Sequence, residues 1–284
     1  MQTNSNSPEM KIILSRKGFD SESGCNPSPI LPDKRMISLP IPSQKSHMGK
    51  TSYSELKFEK NRSYYDLMKD LGILKKDERC HLDPDIRKDL LIRDREWRPL
   101  FGQVGVAQSH LEKQGVKEGD IFLFFGTFRK TDYLNDRLRF DPKESSKHVI
   151  FGYLQIGKRI RLDLNYKDYI PKWIEYHPHA MTEMRKKSKN TLYLARDKVS
   201  WNNAIPGAGF FVFDKRLVLT KEGHPKSHWD LPKFFRTARI SYHNSSSWTD
   251  SHLLSRSRGQ EFVIEDEKVE RWARDLIEKV ERER

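Results

Sequence analysis

Ile121-Phe122-Leu123-Phe124-Phe125, ended by Gly126, is the stretch on which the reading of this chain turns. An unbroken apolar run of this kind is expected of a strand covered on both faces. His148 to Ile156 (HVIFGYLQI) repeats the signal and is followed by Gly157-Lys158. Working outward, Met10 to Leu14 reads as a first buried strand, and Thr191–Ala195, Gly209–Phe213 and Leu217–Leu219 read as short strands. Tyr64, Tyr65, Leu67, Met68 and Leu71 recur at helical spacing before Gly72, and Ala107 to Gln114 reads as a short helix ended by Gly115. Val269, Trp272, Ala273, Leu276, Ile277 and Val280 follow the i, i+3, i+4, i+7 rule of an amphipathic helix. Strands and helices do not alternate in a βαβ rhythm, and no Pro/Gly/Ser linker separates two cores. These patterns predict a single α+β domain over residues 10–284, built on a curved mixed sheet or small barrel with peripheral helices and a C-terminal amphipathic helix. Residues 1–9 (MQTNSNSPE) read as a polar, disordered extension.

The 284 residues carry 36% hydrophobic and 11% aromatic residues with a mean hydropathy of −0.81. The aromatic content argues against disorder, and no run approaches the roughly 20 apolar residues of a membrane-spanning helix. The start lacks the basic and apolar regions of a signal peptide. Two cysteines, Cys25 and Cys80, without CxxC spacing exclude a disulfide framework and a zinc finger. A soluble, cytoplasmic protein is expected. Lys and Arg number 53 against 40 Asp and Glu, a net +13. Residues 265–284 hold eight acidic and six basic groups, a net −2, so the preceding 264 residues carry +15. Such a basic body points to a polyanionic partner, nucleic acid or a nucleotide, against the plainer reading of a solvated basic surface.

Several enzyme classes are excluded by missing motifs: GxxxxGK[ST], GxGxxG after a strand, HExxH, GxSxG and the PCxxC of zinc deaminases. Polar clusters remain. Arg16-Lys17-Gly18-Phe19-Asp20-Ser21, followed by Asn26-Pro27-Ser28-Pro29, places cations, a carboxylate and hydroxyls just past a buried strand, where sheet proteins often site ligands. A hydrogen-bonded turn system is the competing reading. His81-Leu82-Asp83, with Gln103 and Gln108-Ser109-His110, forms a second cluster, and His177-Pro178-His179 a third. A His-x-His pair in extended backbone puts both imidazoles on one face, suited to a metal or to proton transfer. Single histidines are more often hydrogen-bonded core or surface residues, and no metal-ligand set is assigned. Gly126-Thr127-Phe128-Arg129 and His148 stand at strand ends; Trp229 and Gln260 belong to later basic and aromatic clusters, although tryptophans are commonly just core.

Taken together, Lys17-Gly18-Phe19-Asp20-Ser21 with Pro27-Ser28-Pro29-Ile30, Cys80-His81-Leu82-Asp83-Pro84, Gly102-Gln103, Ala107-Gln108-Ser109-His110-Leu111 and Gly119-Asp120 form a distinctive series. With Phe124-Phe125-Gly126, His148-Val149-Ile150-Phe151-Gly152-Tyr153, His177-Pro178-His179 and Gly259-Gln260-Glu261-Phe262, the series resembles the nucleotide modification associated domain 3 family over about Met10 to Leu276. One departure is Cys25, where a second glycine after Gly24 is expected. The resemblance implies synthesis, alteration or handling of modified nucleotides, often in phage and bacterial DNA, with no settled reaction or cofactor. A shorter resemblance, Gly119-Asp120 before a buried strand, is to PUA-like barrels that read modified bases. The favoured expectation is therefore a nucleotide- or DNA-base-modifying enzyme. Arg16 and Lys17 would hold phosphate and Asp20 would serve as base or orienting group. His177 and His179 would assist proton transfer, with Ser21, His81 and Asp83 as further catalytic candidates. Ser28, Gln108, His110, Arg129, His148, Trp229 and Gln260 are the substrate-binding candidates. The alternative is a non-catalytic reader of modified DNA bases; a nuclease would need a metal-binding carboxylate set that one dimension does not reveal.

Overall fold

The computed structural model describes residues 10–20, 22–43, 50–73, 79–163, 170–256 and 259–282. Ten strands form one mixed sheet: β1 (Ile12–Arg16), β2 (Ser28–Ile30), β3 (Leu100–Gln103), β4 (Ile121–Leu134), β5 (Arg137–Phe140), β6 (Lys147–Arg161), β7 (Thr191–Ala195), β8 (Ala208–Phe210), β9 (Arg239–Ile240) and β10 (Glu261–Glu265). The order is β9-β10-β1-β4-β6-β7-β3, with β2 and β5 also on β4 and β8 also on β6. β1 and β2 run parallel to β4, and the other pairs are antiparallel. The sheet is open, with β9 and β3 at its two ends, so the small-barrel expectation is corrected to an open sheet.

The decisive run lies where it was expected: Ile121 to Phe128 are all buried, in the middle of the sheet. Gly126 and Gly157, however, do not end their strands, which continue to Leu134 and Arg161. Both glycines mark close backbone approach instead. A Cβ on Gly126 would meet Lys17 O at 2.7 Å, and one on Gly157 would meet Arg196 N at 2.8 Å. The predicted first strand shifts to Ile12–Arg16 and the predicted Gly209–Phe213 strand shortens to β8. The Leu217–Leu219 strand is instead a 3-10 turn over Lys215–Leu217, whose N-cap Asp214 accepts from Arg216 N–H at 2.8 Å. Residues 1–9 lie outside the described residues.

Helices α1 (Tyr64–Asp70), α2 (Gly105–Lys113), α3 (Thr182–Arg185) and α4 (Glu267–Lys279) sit around the sheet. Gly72 and Gly115, at φ +67° and +65°, lie just past the ends of α1 and α2. On α4, Val269, Ala273, Leu276 and Ile277 are buried against the sheet core. A second apolar cluster joins Phe19, Tyr53 and Tyr64 to Cys80 and Leu82, and a third joins Leu100 and Leu192 to Trp173 and Ile174. The segments carrying His81–Asp83 and His177–His179 come from these two flanking clusters and meet over β3. Neither cysteine forms a disulfide, and Cys80 is buried.

Candidate active site

β1 ends at Arg16, and Gly18, at φ +78°, turns the chain away from the sheet. Between them, Lys17 donates its backbone N–H to Phe125 O at 2.8 Å. Its ammonium lies 2.8 Å from Glu261 Oε1 and 4.5 Å from the centre of the Phe101 ring. Gln103 Nε2 donates to the same Glu261 oxygen at 2.7 Å. This ion pair is almost wholly buried, with side-chain exposures of 9% and 1%. It joins the ends of β1, β3 and β10.

Asp83 follows the two-residue strand Cys80–His81, which pairs with Ile41–Pro42. Its Oδ1 accepts the Gly102 N–H at 2.9 Å. Three imidazoles surround the carboxylate: His177 Nε2 is 3.4 Å from Oδ1, and His179 Nε2 and His81 Nε2 are 3.5 Å and 3.9 Å from Oδ2. The His177-Pro178-His179 backbone is not extended, as the sequence suggested. Instead His177 caps a 3-10 turn over Pro178–Ala180, its Nδ1 accepting the His179 N–H at 3.3 Å. That turn aims both rings at Asp83. His179 is seated by β3 itself, because a Cβ on Gly102 would come within 2.4 Å of its ring. Asn190 fixes the other edge: its Nδ2 donates to His179 O and Met184 O at 2.9 and 2.8 Å, leaving Oδ1 to accept from His179 Nδ1 at 2.9 Å.

Burial sets the electrostatics of the cluster. It pushes the Asp83 carboxyl above its ordinary pKa, against the pull of His179, His81 and Lys17. The same burial pushes His177 down to about 4 and His179 down to about 3, so both rings are neutral near pH 7. Behind His177, buried Asp85 accepts from Arg93 Nη1 at 2.8 Å and from the Tyr176 hydroxyl, which itself accepts from Trp97 Nε1 at 2.8 Å. Beside Asp83, Gly18, Ser38 and Arg87 help line a cavity of about 20 Å³, room for roughly one water.

The structure thus brings four catalytic candidates, His81, Asp83, His177 and His179, to one point, with Lys17 nearby. Asp20 stands in its own turn, its Oδ1 accepting from Glu22 N at 2.8 Å and Ser23 N at 2.6 Å; Ser21 lies outside the described residues. Cys25 has φ +58°, the left-handed region that favours the glycine expected there. Arg16 Nη2 donates to Arg256 O at 2.7 Å, and Gln260 O accepts the Arg16 N–H at 2.8 Å. Ser28 is buried and accepts the Leu39 N–H at 3.0 Å, while Gln108 accepts from the Tyr193 hydroxyl at 2.8 Å. His110 stacks on half-exposed Tyr242 with ring centres 4.1 Å apart. Trp229, 1% exposed, packs edge-on against Phe125 and donates to His148 Nδ1 at 3.0 Å. Arg129 lines a separate cleft of about 980 Å³ with Lys143, Lys147, Lys215 and Lys279.

Asn190, Glu261 and the Asp85–Arg93–Tyr176 network were not selected from the sequence as site residues. Glu261 stood inside the quoted Gly259–Phe262 motif, and a buried acid on an otherwise apolar strand (EFVIE) is the signal that marks it. Asn190 had no sequence signal.

Searches of curated proteins and of solved structures return no match. A family model described as nucleotide modification associated domain 3 matches residues 11–265, which span every residue of the buried cluster. The chain belongs to the nucleotide modification associated domain 3 family.

Proposed function

We propose that this protein is an enzyme that alters a nucleotide or a base of DNA, and that the cluster around Asp83 is its reaction centre. One observation carries the reading. Three imidazoles converge on one carboxylate at 3.4–3.9 Å, nearly excluded from solvent, with no N–H···O contact between them near the 2.7–3.0 Å of a good hydrogen bond. Buried polar groups held at such separations cost stability, and proteins retain such arrangements chiefly where they serve chemistry. Membership in a family tied to nucleotide modification supplies the substrate class. The cleft of Arg129, Lys143, Lys147, Lys215 and Lys279 suits a phosphate-bearing substrate because its cations outnumber the acids that share it, although Lys147 pairs with Glu144 and Glu222 and Lys279 with Asp275. The Arg16/Lys17 loop suits it less well, because the Lys17 charge is already matched by Glu261 at 2.8 Å.

The test is mass spectrometry of nucleosides from DNA and from the free nucleotide pool of cells making wild-type protein or Asp83→Asn. A nucleoside that appears with the wild type and vanishes with the variant supports the enzyme. An identical nucleoside spectrum, with the wild type still binding modified DNA, would establish the non-catalytic reader instead.

A further inference from the structure

We infer that His81 Nε2, His179 Nε2 and Asp83 Oδ2 form a binding site for a divalent first-row transition ion. This rests on reading the cluster as the reaction centre and says what that centre holds. Among the described residues, these three offer ligand atoms within 4.8 Å of one another.

The hydrogen-bond pattern decides which atoms face the centre. Asn190 uses its two N–H groups on the carbonyls of His179 and Met184, so its Oδ1 can only accept, and the His179 proton lies on Nδ1. The Nε2 lone pair of His179 then points at Asp83 Oδ2, 3.5 Å away. Two electron-rich atoms facing each other in a buried site repel unless a proton or a metal ion lies between them, and 3.5 Å is too long for an O–H···N hydrogen bond of ordinary strength. At His177 the tautomer is the opposite one: Nδ1 accepts the His179 backbone N–H, so the proton lies on Nε2, 3.4 Å from Asp83 Oδ1. Gly102 N–H reaches that same oxygen at 2.9 Å. Asp83 therefore has one oxygen facing donors and the other facing two imidazole nitrogens, the division expected of a monodentate ligand.

The distances agree. Ligand atoms about 2.1 Å from a tetrahedral ion lie about 3.4 Å apart, against 3.5 and 3.9 Å for the two His–Asp83 Oδ2 pairs. The Asn190 bond to His179 Nδ1 is the outer contact that orients and tunes a metal-bound imidazole. Two imidazoles and one carboxylate leave coordination positions for water or substrate, and this donor set suits Fe(II) or Zn(II).

The experiment uses the full chain, stripped with chelator and titrated anaerobically with Fe(II), Zn(II) and Co(II), followed by elemental analysis after gel filtration. One ion per chain is expected, with X-ray absorption of the loaded wild type reporting two imidazoles in the shell. Asp83→Asn and His179→Gln should weaken binding at least 100-fold, and Asn190→Ala about 10- to 100-fold. His228→Ala is the control for a second histidine group, His224, His228 and His252, whose ring centres are 4.6–5.7 Å apart; it should leave binding unchanged. The wild-type spectrum keeps the test intact if a variant fails to fold. No ion retained by the wild type, a shell without imidazole, or an ion lost with His228→Ala overturns the site. Retained metal with an Asp83-independent nucleoside spectrum sinks the enzyme reading and leaves the metal site standing. Lost nucleoside with no bound metal does the reverse.

Discussion

Replacing Gly102 by alanine tests the seating of His179 directly. The added methyl would stand 2.4 Å from Cγ and Cδ2 of the imidazole, where ordinary contacts begin near 3.4 Å, so something must retreat by about 1 Å. The strand cannot do so cheaply, because Gly102 is in register with Leu192 on β7 and its N–H holds Asp83. The ring must move, and a shift of that size disrupts its 2.9 Å hydrogen bond with Asn190 Oδ1. Overpacking of this kind costs about 1–3 kcal/mol, and a buried imidazole N–H left without its acceptor adds about 1–3 kcal/mol. At roughly 2–4 °C per kcal/mol for a chain of this size, Tm should fall by at least several degrees. Thermal melting measures the loss, and NMR of the imidazole signals reports whether His179 has moved. A variant with unchanged Tm and an unmoved His179 signal would refute the argument that β3 positions this ring.

Asp85→Asn, which leaves buried Arg93 without its charge partner, should lower stability by about 3–5 kcal/mol in urea unfolding; a loss under 1 kcal/mol would mean that Tyr176 and Trp97 carry the network alone. His148, held near a pKa of about 3 by burial, stays neutral in the fold while the unfolded chain takes up a proton below about 6.5. Its contribution is therefore present above that pH and is lost as pH falls toward 3, by about 1.4 kcal/mol per unit. His148→Gln, which keeps an acceptor for Trp229, should flatten the stability profile between pH 3 and 6.5 by one proton, and an unchanged slope would contradict the burial argument. Asp20→Asn keeps the acceptor used by Glu22 and Ser23, so it should cost at most about 1 kcal/mol and leave the nucleoside product in place; loss of product at unchanged Tm would move the reaction centre to that loop. If DNA binds along the cleft, log affinity should fall linearly with log salt, and Arg129→Ala should reduce that slope by about 1.

Periodicity located the elements well because it reports burial, which the sheet core enforces: the IFLFF run, the HVIFGYLQI run and the face of α4 all lie where the pattern put them. It failed at Gly126 and Gly157, since a glycine looks alike whether it ends a strand or lets another backbone lie within 3 Å of where a Cβ would stand. Openness of the sheet was not legible either, as it depends on which strands become edges. At the site, residue type picked out His81, Asp83, His177 and His179, but convergence depends on a 3-10 turn and on β3 lying beneath it, neither of which leaves a periodic trace. Asn190 stayed hidden because a lone asparagine in a polar stretch resembles any loop residue until its three hydrogen bonds are seen. Asp20 drew attention by the same logic, as a carboxylate beside glycines, and its Oδ1 accepts two backbone N–H groups of its own turn.

The place of β1 between β4 and β10 has a consequence for how the molecule comes into being. Ile12 pairs with Ile264 on one side and Ile121 on the other, so this central strand gains its second neighbour only when translation has passed residue 265. Between the synthesis of β4 and that of β10, a nascent chain carries β1 with an open edge, a state prone to pairing with the wrong partner. The Lys17–Glu261 ion pair spans the same seam, 244 positions apart in sequence. The β1–β10 seam therefore closes, and Lys17 gains its partner Glu261, only once β10 has been made.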